Sequence, residues 1–419
     1  MNEGVDSLLS YPENLAVMLH FKKTMLLVPV ALLVALSQCQ VSPASGAADE
    51  DQPWSHRMAL SVAARYPNLT DMDRIFHERS SPKWQYDIAM LAQAIDMLGL
   101  NNSVLDNYMQ EYMDELVDPD GKIHNYKLCD HNLDKINPGN NLITLYQRTG
   151  QDKYKIALEQ LVDQLKEQPH NPDGGFWHKG VYPYQMWLDG VYMSSPFMAR
   201  YASAFNEPRW LDEVVRQMTV IESHTRDAET GLLYHAFDYS RGMKWSDDVT
   251  GCSPHFWGRA MGWYMMAMVD ALDYFPEEHE GRGQIIDILN RTAEALVRVR
   301  DPEKGLWYQV LDMGGSPGNY LEASASCMFV YAFAKGANRG YLGPEYLAMA
   351  NASFDAILDE FIVIEDDGLV SIDQGCFAAG LGGREYRDGS YDYYIHEKKG
   401  KNDSKSVAPF IMAAFELKR

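Results

Sequence analysis

Long amphipathic stretches alternate with polar, glycine-containing turns along most of this chain. Within each stretch the apolar residues recur every three or four positions, which is the period of an α-helix. Strand-like patterns are short and confined to turns, as at 232–237 and 306–310. The pattern therefore predicts one all-α domain of roughly twelve helices. The clearest helical stretches lie at 88–98, 154–165, 211–221, 262–274, 285–299, 323–334, 346–361 and 407–417.

Four of the turns share one layout, in which a glycine and an aromatic or aliphatic pair are followed by a polar stretch and a long apolar helix. A helical hairpin cannot bury its apolar face alone, so neighbouring hairpins must stack in a solenoid or close into a ring. A closed double ring of six hairpins fits the number of helices. The recurring turns would then gather at one end, where we expect the functional site. These turns begin at Gly175, Gly231, Gly305 and Gly368, with a fainter copy at Gly121.

The first 48 residues have the layout of an export signal. Lys22 and Lys23 precede an apolar run at 25–36, which is too short to span a membrane. Cys39 follows a sequence that resembles a bacterial lipoprotein box, while simple cleavage near 44–46 is the alternative. We therefore expect residues 1–48 to direct export to the periplasm or surface of a bacterium, with a possible lipid anchor at Cys39. Residues 49–419 would form the folded domain.

The composition narrows the classes of partner. The chain has 419 residues, 46% of them hydrophobic, and a formal net charge of −22, so a nucleic-acid partner is excluded because phosphate binding needs a basic surface. An anionic substrate would have to be attracted by a few local Arg, Lys or His side chains.

The spacing of the five cysteines fits neither a metal site nor a dense disulfide framework, and predicts buried thiols. They are Cys39, Cys129, Cys252, Cys327 and Cys376.

The segment 177–198 is the richest in residues that could carry chemistry. Asp189 lies there between Trp187 and Tyr192, and a glycine follows it directly. An aspartate before an apolar helix often caps the helix, which is the structural interpretation of Asp189. An aspartate among aromatic side chains is also desolvated, and desolvation favours the protonated form that a general acid needs. The residues alone leave both interpretations open.

A second candidate segment carries a histidine and an arginine. His235 leaves a Gly-Leu-Leu-Tyr turn, and Arg259 lies at a helix start between glycines, in a motif that ends at Trp263. Arg259 could hold a carboxylate through its planar fork of donors. A surface ion pair with Asp247 or Asp248 is the alternative.

Two further residues open predicted helices. Asp134 begins a helix-start turn, where it could either contact a ligand or cap the turn. Tyr86 precedes the first helix of the folded domain, where it could lie at the mouth of a site or act only as a hydrophobic staple.

Four motifs together resemble the unsaturated rhamnogalacturonyl hydrolases, glycoside hydrolase family 105, which are related to the unsaturated glucuronyl hydrolases of family 88. They are Trp-Leu-Asp-Gly-Val-Tyr-Met, Trp-Gly-Arg-Ala-Met-Gly-Trp, Tyr-His-Ala-Phe-Asp and Asp-Lys-Ile-Asn-Pro-Gly, and the resemblance covers about residues 55–419. It implies an (α/α)6 barrel, in agreement with the hairpin count, and Asp189 as the general acid and base. It also implies that the sugar site is lined by Tyr86, Asp134, Lys179, Trp187, His235, Arg259 and Trp263. The chain departs from the family pattern at Lys135, where relatives often carry a smaller or acidic residue. This difference concerns the contacts to the outer hydroxyl groups of the substrate.

The resemblance implies an unusual glycosidase reaction. The substrate would be a small oligosaccharide whose nonreducing uronic acid carries a C4=C5 double bond left by a polysaccharide lyase. One carboxyl group would protonate C4 and then accept a proton from the water that adds at C5, with no metal or other cofactor. Two alternatives stay open, namely an unsaturated glucuronyl hydrolase for ulvan or glycosaminoglycan fragments, and a noncatalytic oligosaccharide-binding barrel.

Overall fold

The computed structural model describes residues 51–100, 102 and 105–419 of the chain. The expected export segment at 1–48, including Cys39, lies outside the described residues. Within them, fourteen α-helices are joined by turns and by six strands of two or three residues each. The helices are α1 Trp54–Arg65, α2 Leu69–Phe76, α3 Tyr86–Asp96, α4 Tyr108–Leu116, α5 Gly139–Thr149, α6 Asp152–Glu167, α7 Leu188–Phe205, α8 Arg209–Thr225, α9 Gly258–Leu272, α10 Glu280–Arg298, α11 Ala323–Asn338, α12 Glu345–Phe361, α13 Tyr391–His396 and α14 Ser404–Glu416.

Six helices form a closed inner ring. In order around the ring they are α3, α5, α7, α9, α11 and α14, each contacts the next, and α14 contacts α3. An outer helix packs on each of them, namely α4, α6, α8, α10 and α12 for the first five and α1 for α14. The predicted (α/α)6 barrel of six hairpins is therefore confirmed.

The burial of each helix follows its place in the barrel. The inner helices α9 and α11 bury nearly every residue, because they pack against neighbours on all sides. The outer helices α8 and α10 bury one stripe and expose charged residues on the other face. This difference is the one expected between an interior helix and an amphipathic surface helix.

The five recurring turns follow the outer helices α4, α6, α8, α10 and α12 and lead towards the next inner helix. Their glycines adopt a positive φ, between 70° and 79° at Gly121, Gly231, Gly305 and Gly368, a conformation that other residues adopt with strain. In the fifth turn this position is Gly174, one residue before the predicted Gly175. Since every hairpin runs in the same direction, all six inner helices begin at one end of the barrel. The positive ends of their dipoles meet there.

The strands connect these loops and form no larger sheet. β1 (Gln185–Trp187) pairs with β2 (Ala236–Asp238), β3 (Ile362–Ile364) with β4 (Val370–Ile372), and β5 (Gly375–Cys376) with β6 (Lys399–Gly400), all antiparallel.

Two expectations from the sequence need correction. The strand expected at 306–310 does not form. Tyr308 and Val310 each make one isolated bridge instead. Cys252, Cys327 and Cys376 are buried free thiols as predicted, whereas Cys129 is exposed.

Among the described helices, none combines the length and apolar character needed to cross a membrane.

Candidate active site

The pairing of β1 with β2 brings Asp189 beside His235. Trp187 is opposite Ala236 in this pair, and the Leu188 amide donates to the His235 carbonyl oxygen at 3.0 Å. Asp189 Oδ2 therefore lies 3.2 Å from His235 Nε2. Both atoms are buried and neither is aligned in a hydrogen bond. Such loose contacts are common in catalytic sites without a bound substrate, where alignment improves on binding.

The capping interpretation of Asp189 is wrong. Helix α7 begins at Leu188, its N-cap residue is Trp187, and no side chain caps the helix. Asp189 is therefore inside the first turn, where the helix dipole favours a negative charge. Its carboxylate is also close enough to act electrostatically on Lys179 and Tyr86.

An ion pair lies close to Asp189. Lys179 Nζ is 2.6 Å from Asp134 Oδ2, and His178 Nε2 is 3.5 Å from Asp134 Oδ1. Burial opposes ionisation of Asp134, but Lys179 and His178 outweigh burial and hold the carboxyl pKa below its usual value. Burial lowers the pKa of His178 to about 4, although Asp134 acts in the opposite direction. Asp134 is thus a carboxylate beside a neutral imidazole.

The capping interpretation of Asp134 is also wrong. The short helical turn Leu133–Lys135 is capped by Asn132, whose side chain accepts from the Asp134 amide. The Leu133 amide donates to the His178 carbonyl oxygen at 3.1 Å, and this bond joins the Asp134 turn to the segment that carries Lys179. The ammonium group of the neighbouring Lys135 donates a hydrogen bond to the Trp84 carbonyl oxygen.

Aromatic rings form one wall of the site. His178 and Tyr182 lie nearly parallel to Trp187, with centroids 4.8 and 5.2 Å from it, and Trp187 meets His235 edge-on at 5.2 Å. Trp187, Trp245 and Leu381 form a small apolar cluster apart from the main core. Stacked rings of this kind shield a reacting group from bulk water.

Arg259 is buried at the start of α9. Its Nη1 donates to the Cys376 carbonyl oxygen and, at 3.2 Å, to Ser324 Oγ, and the guanidinium lies over the Trp257 ring. The alternative of a surface ion pair with Asp247 or Asp248 is therefore wrong. Burial would lower the pKa of Arg259, but the surrounding groups outweigh burial and raise it above its usual value.

Tyr86 and Trp263 complete the predicted set. Tyr86 is the first residue of α3 and packs against the core, so the expectation that it precedes the helix is wrong. Its ring meets Trp263 edge-on at 5.8 Å. Trp263 is fully buried, stacks on Tyr192, and leaves its indole Nε1 without a hydrogen-bond partner. Tyr86 is half-buried, so of the two rings it is the one that reaches the surface of the site.

The sequence interpretation missed three residues at this site. His178 and Tyr182 lie in the segment 177–198 but were not singled out, although their neighbour Lys179 was. Tyr394, whose hydroxyl contacts His235 Nδ1 at 2.8 Å, lies 159 residues further along the chain. No local pattern marks it, since only the closure of the barrel brings it to the site.

A metal site would need several ligating side chains close together in the part of the chain that the structure describes. In that part, no three histidine, cysteine or acidic side chains are grouped so that they could hold a metal ion.

Comparison with known proteins gives consistent results. A sequence model described as Glycosyl Hydrolase Family 88 matches residues 54–419. A solved structure of a family 105 glycoside hydrolase from C. acetobutylicum ATCC 824 is 40% identical, with a TM-score of 0.83, over 88% of this chain and 99% of its own. The unsaturated rhamnogalacturonyl hydrolase YesR of Bacillus subtilis is 30% identical over 69% of this chain and 78% of its own length. Protein Atu3128 of Agrobacterium fabrum is 37% identical over 54% of this chain and 97% of its own.

Proposed function

Because this chain belongs to the glycoside hydrolases of families 88 and 105, we propose that it removes the nonreducing 4,5-unsaturated uronic acid from oligosaccharides that a polysaccharide lyase has generated. The enzyme is a glycosidase. The similarity to YesR supports rhamnogalacturonan, a pectin component, as the parent polysaccharide. Export of the enzyme by residues 1–48 would place it where such fragments arise.

The observation that carries this proposal is the contrast between two carboxyl groups. Asp134 is paired with Lys179 at 2.6 Å and its pKa is lowered, so it stays ionised and cannot supply a proton. Among the described residues, no lysine or arginine lies within ion-pair distance of Asp189, and its Oδ2 is buried beside His235 Nε2. Ordinary glycosidases use two carboxyl groups for proton transfer and nucleophilic attack. A site with one available carboxyl group fits a reaction in which the same group donates and then accepts a proton.

The reaction balances with Asp189 alone. The Asp189 carboxyl proton goes to C4, the C4=C5 electron pair forms the new C–H bond, and a cation shared by C5 and the ring oxygen results. Water adds at C5 and gives its proton to the Asp189 carboxylate. The hemiketal opens to a C5 ketone, and the hemiacetal left at C1 then expels the neighbouring sugar. The carboxylate of Asp134 and the surrounding rings stabilise the cation and exclude bulk water.

The test uses purified enzyme and lyase digests of rhamnogalacturonan, ulvan and chondroitin. We expect the near-ultraviolet absorbance of the unsaturated uronate to disappear fastest with the rhamnogalacturonan digest. In heavy water the product should carry one deuterium at C4 at early times. Preference for ulvan or chondroitin fragments would identify the glucuronyl activity instead, and binding without loss of absorbance would identify a binding protein.

A further inference from the structure

The second ring nitrogen of His235 has a buried partner from a distant segment. His235 Nδ1 lies 2.8 Å from the Tyr394 hydroxyl, and both side chains are fully buried. Tyr394 belongs to α13, in the excursion 377–398 between the paired strands β5 and β6.

Tyr394 is held in place by contacts other than His235. Its ring lies nearly parallel to Trp257, with centroids 6.1 Å apart, and its carbonyl oxygen accepts from Gln309 Nε2 at 3.1 Å. Gln309 Oε1 in turn accepts from Trp257 Nε1 at 3.1 Å. The hydroxyl is thus positioned independently of the imidazole, as required of a group that orients its partner.

The direction of the hydrogen bond follows from burial. Burial raises the pKa of Tyr394 well above its usual value, so the hydroxyl keeps its proton. A buried hydroxyl proton needs an acceptor, and among the described residues the hydroxyl has no hydrogen-bond partner other than His235 Nδ1. Tyr394 therefore donates, and Nδ1 carries the lone pair. A neutral imidazole holds one proton, which must then be on Nε2.

We propose that Tyr394 is a positioning residue that fixes the Nε2–H tautomer of His235 and thereby places an N–H group 3.2 Å from Asp189 Oδ2, where it can align when substrate binds. The proposal rests on the proposed function of Asp189. As Asp189 gives its proton to C4, this N–H stabilises the carboxylate that forms, which lowers the barrier. When the carboxylate recovers a proton from water, His235 has gained and lost nothing, so the cycle closes without a change of tautomer.

The first experiment reads the tautomer in the unmodified enzyme. Nitrogen-15 NMR of protein labelled at histidine separates protonated from unprotonated ring nitrogens, and the His235→Gln variant identifies the His235 signals. We expect Nε2 protonated and Nδ1 unprotonated at neutral pH. A proton on Nδ1 in the wild-type enzyme would overturn the proposal, whether or not any variant folds.

The second experiment removes the hydroxyl and has a matched control on the same helix. Tyr394→Phe should lower kcat roughly tenfold, the factor expected from losing one neutral hydrogen bond, with little change in KM. It should also give His235 signals of mixed tautomers. Tyr393→Phe removes a neighbouring hydroxyl that accepts from the Gly380 amide at 3.0 Å, and should leave kcat and the His235 signals unchanged.

The results separate this proposal from the proposed function. Unchanged tautomer and kcat in Tyr394→Phe would overturn the positioning role while the activity stands. If the wild-type enzyme hydrolyses no unsaturated uronate, the proposed function fails, and the role assigned to Tyr394 fails with it even where NMR finds the Nε2–H tautomer. A loss of kcat with an unchanged tautomer would show that Tyr394 acts by packing and would also overturn the proposal.

Discussion

At the scale of single residues, the site separates two aspartates by their neighbours. Asp189 lies in the first turn of the inner helix α7, and Asp134 lies in the short turn that precedes the inner helix α5. Lys179 fixes the charge of one, whereas the other has only an imidazole at 3.2 Å. The proposed division of roles between a fixed charge and a proton carrier therefore depends on a single ammonium group.

Replacing Asp189 with Asn should abolish turnover and leave sugar binding and the fold intact. Asn is nearly isosteric but cannot carry a proton between C4 and water, so we expect a loss on the order of 10²–10⁴-fold in kcat. Loss of absorbance in a lyase digest measures turnover, and calorimetry measures binding. The control is Asp152→Asn at the start of the outer helix α6, which should be fully active. Wild-type turnover in Asp189→Asn would remove Asp189 from the mechanism.

Arg259 should bind the carboxylate of the unsaturated uronate. One nitrogen of its fork is anchored by Ser324 and a backbone carbonyl, and we expect the other donors of the fork to contact the ligand. Because charged hydrogen bonds are strong, Arg259→Lys and Arg259→Ala should weaken binding roughly ten- to hundredfold.

A substrate methyl ester tests this role of Arg259 independently of folding. If Arg259 contacts the carboxylate, esterification should cost the wild-type enzyme affinity and cost Arg259→Lys much less. Additive effects of the ester and the substitution would contradict the contact.

Local sequence could nominate single residues but not their partners. Asp189 and His235 were each predicted from their own segments, while their contact depends on the pairing of β1 with β2. Tyr394 could not be predicted, because its role arises from an excursion that packs under His235. The roles of the predicted site residues stay predictions until the variants are measured.

At the scale of elements, the start of α7 packs closely on the segment that carries His178. A Cβ at Gly190 would lie 2.7 Å from His178 Nδ1, too close for either group to remain in place. Gly190→Ala should therefore lower the free energy of unfolding by about 1–3 kcal/mol, despite the better helix propensity of alanine. Gly283→Ala in α10 is the control, since a Cβ there meets nothing within 4 Å, and it should stabilise by up to ~1 kcal/mol. Urea unfolding measures both, and equal stabilisation would contradict the close packing.

His178 should make the stability of the barrel dependent on pH. Its pKa is about 4 in the folded state against 6.5 as the ordinary value, so between these pH values the unfolded chain binds the proton more strongly. Stability contributed by His178 is complete above about pH 6.5 and falls by up to about 3 kcal/mol as the pH drops towards 4. In urea unfolding, the free energy of unfolding of His178→Gln should depend less on pH between about 4 and 6.5 than that of the wild type. The control His396→Gln, at an exposed position, should keep the wild-type dependence. Parallel slopes for all three proteins would exclude the effect.

The elements themselves were largely predictable from periodicity. Stretches such as 211–221 and 346–361 lie inside α8 and α12, because long apolar stripes specify helices strongly. The segment 306–310 misled because Tyr308 bridges Leu321 while Val310 bridges Trp257, so the segment has no single partner along which a strand could pair.

At the scale of the whole molecule, the net charge opposes the proposed substrate. A chain with a charge of −22 repels an anionic oligosaccharide at long range, while the helix N-termini and the buried Arg259 attract it only nearby. Salt screens exposed charges beyond about 10 Å at 0.1 M and buried ones much less. We therefore expect kcat/KM for the unsaturated uronate to rise as sodium chloride is increased towards about 0.15 M. The methyl ester is the control and should show little change, and a falling kcat/KM would mean that attraction dominates at long range.

The sixth hairpin is unlike the other five, because it joins the first helix of the barrel to the last. The Ser55 amide donates to the Arg419 carbonyl oxygen at 3.2 Å, and α1 packs on α14. The first and last helices of the barrel therefore meet in space. Any of the hairpins could come first in the chain, and the finished ring would be the same. A gene that begins at the α5–α6 turn and joins Arg419 to the start of α1 by a short linker would encode the same circle. In the natural order, α1 is made before the other helices of the barrel and must wait for α14, so the ring cannot close until α14 has been synthesised.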